Sequence, residues 1–98
     1  MNDIQNTQDI KNYIVSNRGS YGGWYVGVTS DPRDRLFNGH GVIEKDDAWI
    51  FSIYSSDATA RAAESYFLKT LGTDGGPGGG NDPCKCVYAY KKASHTNP

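Results

Sequence analysis

The sequence predicts a small α/β domain, an α+β sandwich in which a mixed or antiparallel sheet of roughly three strands is flanked by three helices. Three observations lead there. Residues 24–29, WYVGVT, set Trp24, Val26 and Val28 against Tyr25, Gly27 and Thr29, the period-two pattern of a strand. Residues 58–71, ATARAAESYFLKTL, place Ala60, Ala63, Phe67, Leu68 and Leu71 on one helical stripe. The chain has 98 residues, 37% of them hydrophobic, which is enough for one core and one domain spanning 1–98. With so few strands, helices cannot easily be wound on both faces of a parallel sheet, so a sandwich is favoured.

The elements follow in order. Residues 7–18 put Ile10, Tyr13 and Ile14 at i, i+3 and i+4, with Asn6 or Thr7 able to cap the start and Gly19 the end. SYGG is a turn leading into the 24–29 strand. Asp31-Pro32 is a helix start, a capping carboxylate before a proline at the first helical position, and that helix runs to about Phe37 with Gly39 as its stop. A polar loop over 41–47 precedes AWIFSIYS, 48–55, which is apolar enough on both faces to be a central strand. Ser56 or Asp57 caps the third helix and Gly72 ends it. DGGPGGGNDP is irregular, and KCVYAYKK, 85–92, is the last strand. Residues 1–6 and 93–98 read as frayed ends.

Ten basic and eleven acidic residues leave a net charge of −1, which argues against a protein that coats nucleic acid non-specifically. A local positive patch remains open, because Lys85, Lys91 and Lys92 follow Pro83 with no acid among them. No apolar run nears the roughly 18 residues of a membrane span, and the first residues lack the pattern of a signal peptide, so no membrane partner is expected. Cys84 and Cys86 are too close for an easy disulfide and read as cytoplasmic thiols. With only His40 and His95 beside them they fall short of a zinc set.

One residue on the third helix is out of place. Glu64 lies four residues after Ala60, on the stripe that seeks burial. A carboxylate there is costly unless it is paired, protonated or bound to a metal. A local ion pair with Arg61 and a functional role are equally open readings. On the strand, Tyr25 and Gly27 share the face opposite Trp24, and Gly27 leaves room beside the phenol. Arg33 and Arg35 are two apart on a helix, so one should point toward Tyr25 and the other to water. The glycine loop lacks a Gly-Lys-Ser/Thr ending and is no P-loop, but it leads to Asn81.

Tyr-Val-Gly on a strand, an arginine on the next helix, a glutamate inside a later helix and an asparagine after a glycine loop stand in the order seen in the GIY-YIG nuclease superfamily, which this chain resembles over about residues 21 to 82. WYVG is similar to the second half of the name motif. The resemblance matches Tyr25 to its tyrosine, Arg35 to the helix arginine, Glu64 to the metal-binding glutamate and Asn81 to the late asparagine. His40 stands near a position where many members carry His or Tyr. The family's opening Gly-Ile-Tyr tripeptide is absent. Its tyrosine lies across the sheet from the second one, and Tyr13, Tyr21, Tyr88 and Tyr90 are candidates for that role.

The resemblance implies a metal-dependent endonuclease acting on nucleic acid, DNA in the first place. Glu64 would hold Mg²⁺ or Mn²⁺, which take carboxylate and water oxygens and leave positions for phosphate. Arg35 would stabilise charge developing at phosphorus, Tyr25 would orient or deprotonate the attacking water, and Asn81 would fix the loop or the outer shell of the metal. So short a chain leaves no separate sequence-reading domain, so a second copy or a targeting partner is expected. Two other readings stand beside it: a catalytically silent module of the same type that binds nucleic acid or a protein, and a plain α+β domain in which Glu64 and Arg61 are a structural pair.

Overall fold

The computed structural model describes residues 3–17, 20–75 and 83–98. It is an α+β fold around one three-stranded antiparallel sheet. Helix α1 spans Asp3–Ser16, strand β1 Trp24–Thr29, strand β2 Trp49–Ile53, helix α2 Asp57–Tyr66 and strand β3 Cys86–Lys91. A short helix with wide, π-type turns, Asp34–Gly39, lies between β1 and β2.

The strand order is β1-β3-β2, so the last strand is central and the 48–55 segment, read from its sequence as central, is an edge. The physical reason is visible in the register. Along β3 every residue from Cys86 to Tyr90 is buried, whereas Trp49, Ile50, Phe51 and Ser52 on β2 are only partly covered and Ile53 is exposed. The aromatic bulk of β2 therefore serves one partly open face rather than two closed ones.

The sheet has two unlike faces because side chains alternate along each strand. One face carries Trp24, Val26, Val28, Val87 and Ala89, on which pack Ile10 and Ile14 of α1 and Ala60 and Ala63 of α2, followed by Phe67. Ile10 and Ile14, one helical turn apart, are fully buried. Helix α1 begins at Asp3, earlier than its apolar spacing suggested, because the Asp3 carboxylate accepts hydrogen bonds from the backbone N–H and the hydroxyl of Ser55. Helix α2 starts as expected, with Ser56 Oγ accepting from Thr59 N at 3.1 Å. It runs on into a π-type turn, Phe67–Leu71, and ends at Gly72 in the left-handed region, φ 84°.

The other face, expected from the sequence to be the more open one, is closed over β1 and β3. Leu36 and Phe37 of the short helix and Val42 after it pack on Tyr25, Tyr88 and Tyr90, so all six residues of β1 are buried. Two further points differ from the sequence reading. The segment 73–75 is not wholly irregular: Asp74 lies parallel against the outer edge of β1, with Val26 N donating to Asp74 O at 2.9 Å and Asp74 N to Trp24 O at 2.8 Å. Residues 93–98 are seated rather than free, with Thr96 buried and Asn97 N donating to His40 O at 2.8 Å. Both cysteines are buried, and no disulfide joins them, in keeping with their close spacing. Among the described residues no helix is long and apolar enough to cross a membrane.

Candidate active site

The register aligns two rows across the second face. Gly27, Tyr88 and Phe51 form one row, and Tyr25, Tyr90 and Trp49 the next. Gly27 is required here by its neighbour. A Cβ at this position would stand 2.5 Å from the Tyr88 hydroxyl oxygen and 2.6 Å from its Cζ, so the Tyr88 ring lies across the space that glycine leaves. Tyr25 stacks on Tyr90 with centroids 5.3 Å apart and on Tyr88 at 6.3 Å.

His40 closes this cluster from above. It ends the short helix, where its backbone N–H donates to Arg35 O, and its ring lies 4.6 Å from the Tyr25 ring. Nδ1 is 2.7 Å from the carbonyl oxygen of Asn97, and Nε2 is 2.7 Å from the Tyr88 hydroxyl. A carbonyl only accepts, so Nδ1 carries the hydrogen. In the neutral ring Nε2 is then bare, and Tyr88 donates its proton to it. The Tyr90 hydroxyl, 3.2 Å from Nδ1, accepts a share of the same N–H. Burial holds His40 below its ordinary pKa, helped by the nearby Arg35 charge and opposed by the Asn97 carbonyl. Burial, reinforced by Tyr25, pushes the Tyr88 phenol well above its ordinary value, and Arg35 acts on that phenol in the opposite sense as a hydrogen-bond donor and a cation. Tyr88 is therefore a phenol, not a phenolate, at neutral pH, with its proton already shared with a base.

The two arginines take different directions, but the one turned from Tyr88 does not simply face water as expected. Arg35 is exposed and sits beside Tyr88, while Arg33 turns away toward Glu44, 3.1 Å distant, and toward the rings of Trp49 and Phe51.

Glu64 is half-buried, and its Oε2 is buried with no hydrogen-bond partner among the described residues. Trp24 Nε1 and Thr73 Oγ1 share that condition, but only Glu64 can be charged. Burial raises its pKa and the Arg61 charge offsets this in part. Arg61 does not close an ion pair around it: its Nε donates to the Asp57 carboxylate at 2.9 and 3.1 Å. Asp57 is held low first by the backbone N–H of Cys84, and by Arg61. The Glu64 charge is the smallest of the influences that oppose ionisation of the Tyr88 phenol.

Of the residues singled out in the sequence, Tyr25, Arg35 and His40 thus gather around Tyr88, while Glu64 stands on α2, whose Ala60 and Ala63 pack on the other face of the sheet. Tyr13 and Tyr21 do not join them. The Tyr13 ring meets Trp24 edge-on at 5.9 Å, and both tyrosines pack on the opposite face of the sheet. Asn81 lies outside the described residues. The carbonyl of Asn97 was missed, since no side-chain pattern announces a backbone acceptor. Tyr88 and Tyr90 were legible through the period-two spacing of VYAY. Comparison of the chain with family models, with curated proteins and with solved structures gave no match.

Proposed function

We propose that this protein is a metal-dependent endonuclease that hydrolyses phosphodiester bonds in nucleic acid, DNA in the first place, by GIY-YIG-type chemistry. In this reading the last strand supplies the tyrosine that the family draws from its first. The observation that carries the reading is Tyr88. It lies beside β1 across from Gly27, its proton is shared with His40, and exposed Arg35 stands over it. On this reading the missing Gly-Ile-Tyr tripeptide before WYVG is accounted for by a tyrosine that comes later in the chain, on the strand paired with β1.

Each side chain then has a task. Arg35 draws the phosphodiester and neutralises charge that develops on the phosphoryl oxygens. A water placed against the Tyr88 hydroxyl gives it a proton while the phenol proton passes to His40 Nε2, so no free phenolate accumulates. The hydroxide formed attacks phosphorus, the bond from phosphorus to the leaving oxygen breaks, and that oxygen takes a proton from solvent. Tyr25, stacked beside the pair, orients the water. The orphaned Oε2 of Glu64 fits a divalent cation, because a bound Mg²⁺ or Mn²⁺ would offset the burial that raises its pKa. Such an ion would supply Lewis-acid stabilisation of charge on phosphate and leaving group. A second copy of the chain, or a targeting partner, would supply sequence preference.

A second reading, a silent module that binds nucleic acid or a protein, is favoured by one observation: Tyr88 is only 1% exposed, so the floor of the site is nearly closed to water. Cleavage of supercoiled plasmid and of a branched oligonucleotide with Mg²⁺ or Mn²⁺, wild type beside Glu64→Ala, separates the two. Cutting by the wild type alone supports the nuclease. Binding by both proteins without cutting supports the silent module.

A further inference from the structure

Next to the tyrosine cluster the same two rows end in aromatic rings on the edge strand. Phe51 continues the row of Gly27 and Tyr88, and Trp49 that of Tyr25 and Tyr90. The Trp49 and Phe51 planes differ by only 13°, with centroids 6.2 Å apart, so the two rings stand nearly parallel on one face of the edge strand and together make an aromatic shelf. Phe37 braces Trp49 edge-on at 5.1 Å, and Trp49 Nε1 donates to Glu44 O at 3.0 Å, which fixes the indole. Both shelf rings are partly exposed. Over them lies the Arg33 guanidinium, 5.8 Å from one centroid and 5.9 Å from the other. Its side chain is 60% exposed, and its partner Glu44 is 55% exposed.

We propose that this shelf is a subsite for an unpaired nucleobase flanking the scissile phosphate, and that the preferred substrate presents single-stranded nucleotides there. The proposal rests on the phosphodiester reading of the neighbouring site. Three features favour a base over another flat ligand. The shelf is continuous with Tyr88 and Arg35 through the strand register, so a phosphate at Arg35 has its adjoining nucleotide within reach of Phe51. A nucleobase offers a π-face to an aromatic ring whatever its sequence, and replacing one stacking aromatic weakens single-strand binding by about tenfold to hundredfold. Arg33 covers the shelf by two exposed contacts, the cation–π approach and the ion pair with Glu44, each weaker than base stacking, so an incoming base displaces it. The displaced guanidinium remains beside the strand, free to meet the backbone phosphate that the base brings with it. A base paired inside a duplex cannot lie on the shelf without being turned out of its stack.

The test uses the full chain, a single-stranded oligonucleotide and its blunt duplex, with affinities measured in Ca²⁺ and cleavage in Mg²⁺. Phe51→Leu keeps apolar packing and removes the π-face; Phe51→Trp restores one. The expected result is a loss of about tenfold or more in single-strand affinity for Phe51→Leu, with duplex affinity unchanged and Phe51→Trp equal to wild type. Unchanged single-strand affinity, equal loss on both substrates, or no single-strand binding by the wild type would overturn the proposal. A measurement on the wild type avoids any folding defect: photocrosslinking of a 5-iodouracil oligonucleotide should mark Trp49 or Phe51, and crosslinks confined to other residues would refute the subsite. Single-strand binding with this pattern but no cleavage would leave the subsite standing and remove the nuclease reading. Cleavage indifferent to Phe51→Leu on either substrate would do the reverse.

Discussion

The phenol of Tyr88 donates to Nε2 of His40 at 2.7 Å, and it does so because the other ring nitrogen is committed to the carbonyl of Asn97. A backbone acceptor near the end of the described chain thus selects the tautomer of a histidine on the short helix. That tautomer in turn leaves Nε2 bare to accept the hydrogen bond of a buried tyrosine.

Removing the phenol hydroxyl should separate folding from chemistry. Tyr88→Phe leaves Nε2 without its donor and costs about 1–3 kcal/mol of stability, as for any buried polar group left unpaired. If Tyr88 is the group that takes the proton from water, cleavage should fall by about a hundredfold or more. Urea unfolding beside single-turnover cleavage measures the two effects on one sample.

Arg35→Ala should behave differently. The side chain is exposed, so stability changes little, while kcat falls by roughly 10²–10³-fold if the guanidinium stabilises developing charge. Arg33→Ala, on the far side of the short helix, should leave kcat on a duplex near wild type. Steady-state kinetics of the two variants side by side provides the check.

Gly27→Ala brings a methyl against the ring of Tyr88, where the nearest atoms would be at 2.5, 2.6 and 2.9 Å. The ring must shift, at a cost of about 1–3 kcal/mol for overpacking, and it must also leave His40. Denaturant unfolding should show the loss, and cleavage should fall along with it.

The pH dependence of stability carries two opposite signs. Burial lowers the pKa of His40 from 6.5, so the unfolded chain binds that proton first as pH falls. Its contribution is present above about pH 6.5 and is lost on acidification below it. Burial raises the pKa of Glu64 from 4.5, so its cost is absent below about pH 4.5 and grows as pH rises through the folded value. Glu64→Gln should therefore melt higher than wild type at pH 7 and no higher at pH 4. Millimolar Mg²⁺ should raise the melting temperature of the wild type and not that of Glu64→Gln, if Glu64 holds the ion. Thermal melts at both pH values, with and without Mg²⁺, measure all of this.

How much of this was legible in the sequence depends on whether the signal was local. The strand at 24–29, the Ser56 cap, the Gly72 stop and the anomalous Glu64 are all matters of spacing along a few residues, and each has its structural counterpart. The place of the last strand in the middle of the sheet is a long-range pairing, and its strong alternation could not reveal which neighbours it would have. For the same reason Tyr13 and Tyr21 looked as eligible as Tyr88, although they face the opposite core. Arg35 and His40 were legible as candidates, but the bond that orients His40 comes from 57 residues away and from a backbone atom. Gly27 was read as making room, and what fills the room is the ring of Tyr88.

The central claim is that the tyrosine of the last strand performs the chemistry. Its most direct test is nicking of supercoiled plasmid in Mg²⁺ by wild type, Tyr88→Phe and Tyr13→Phe, all at matched folded concentration. The account predicts that wild type and Tyr13→Phe nick the plasmid at similar rates while Tyr88→Phe does not. Nicking by Tyr88→Phe at the wild-type rate, or none by the folded wild type, would contradict it.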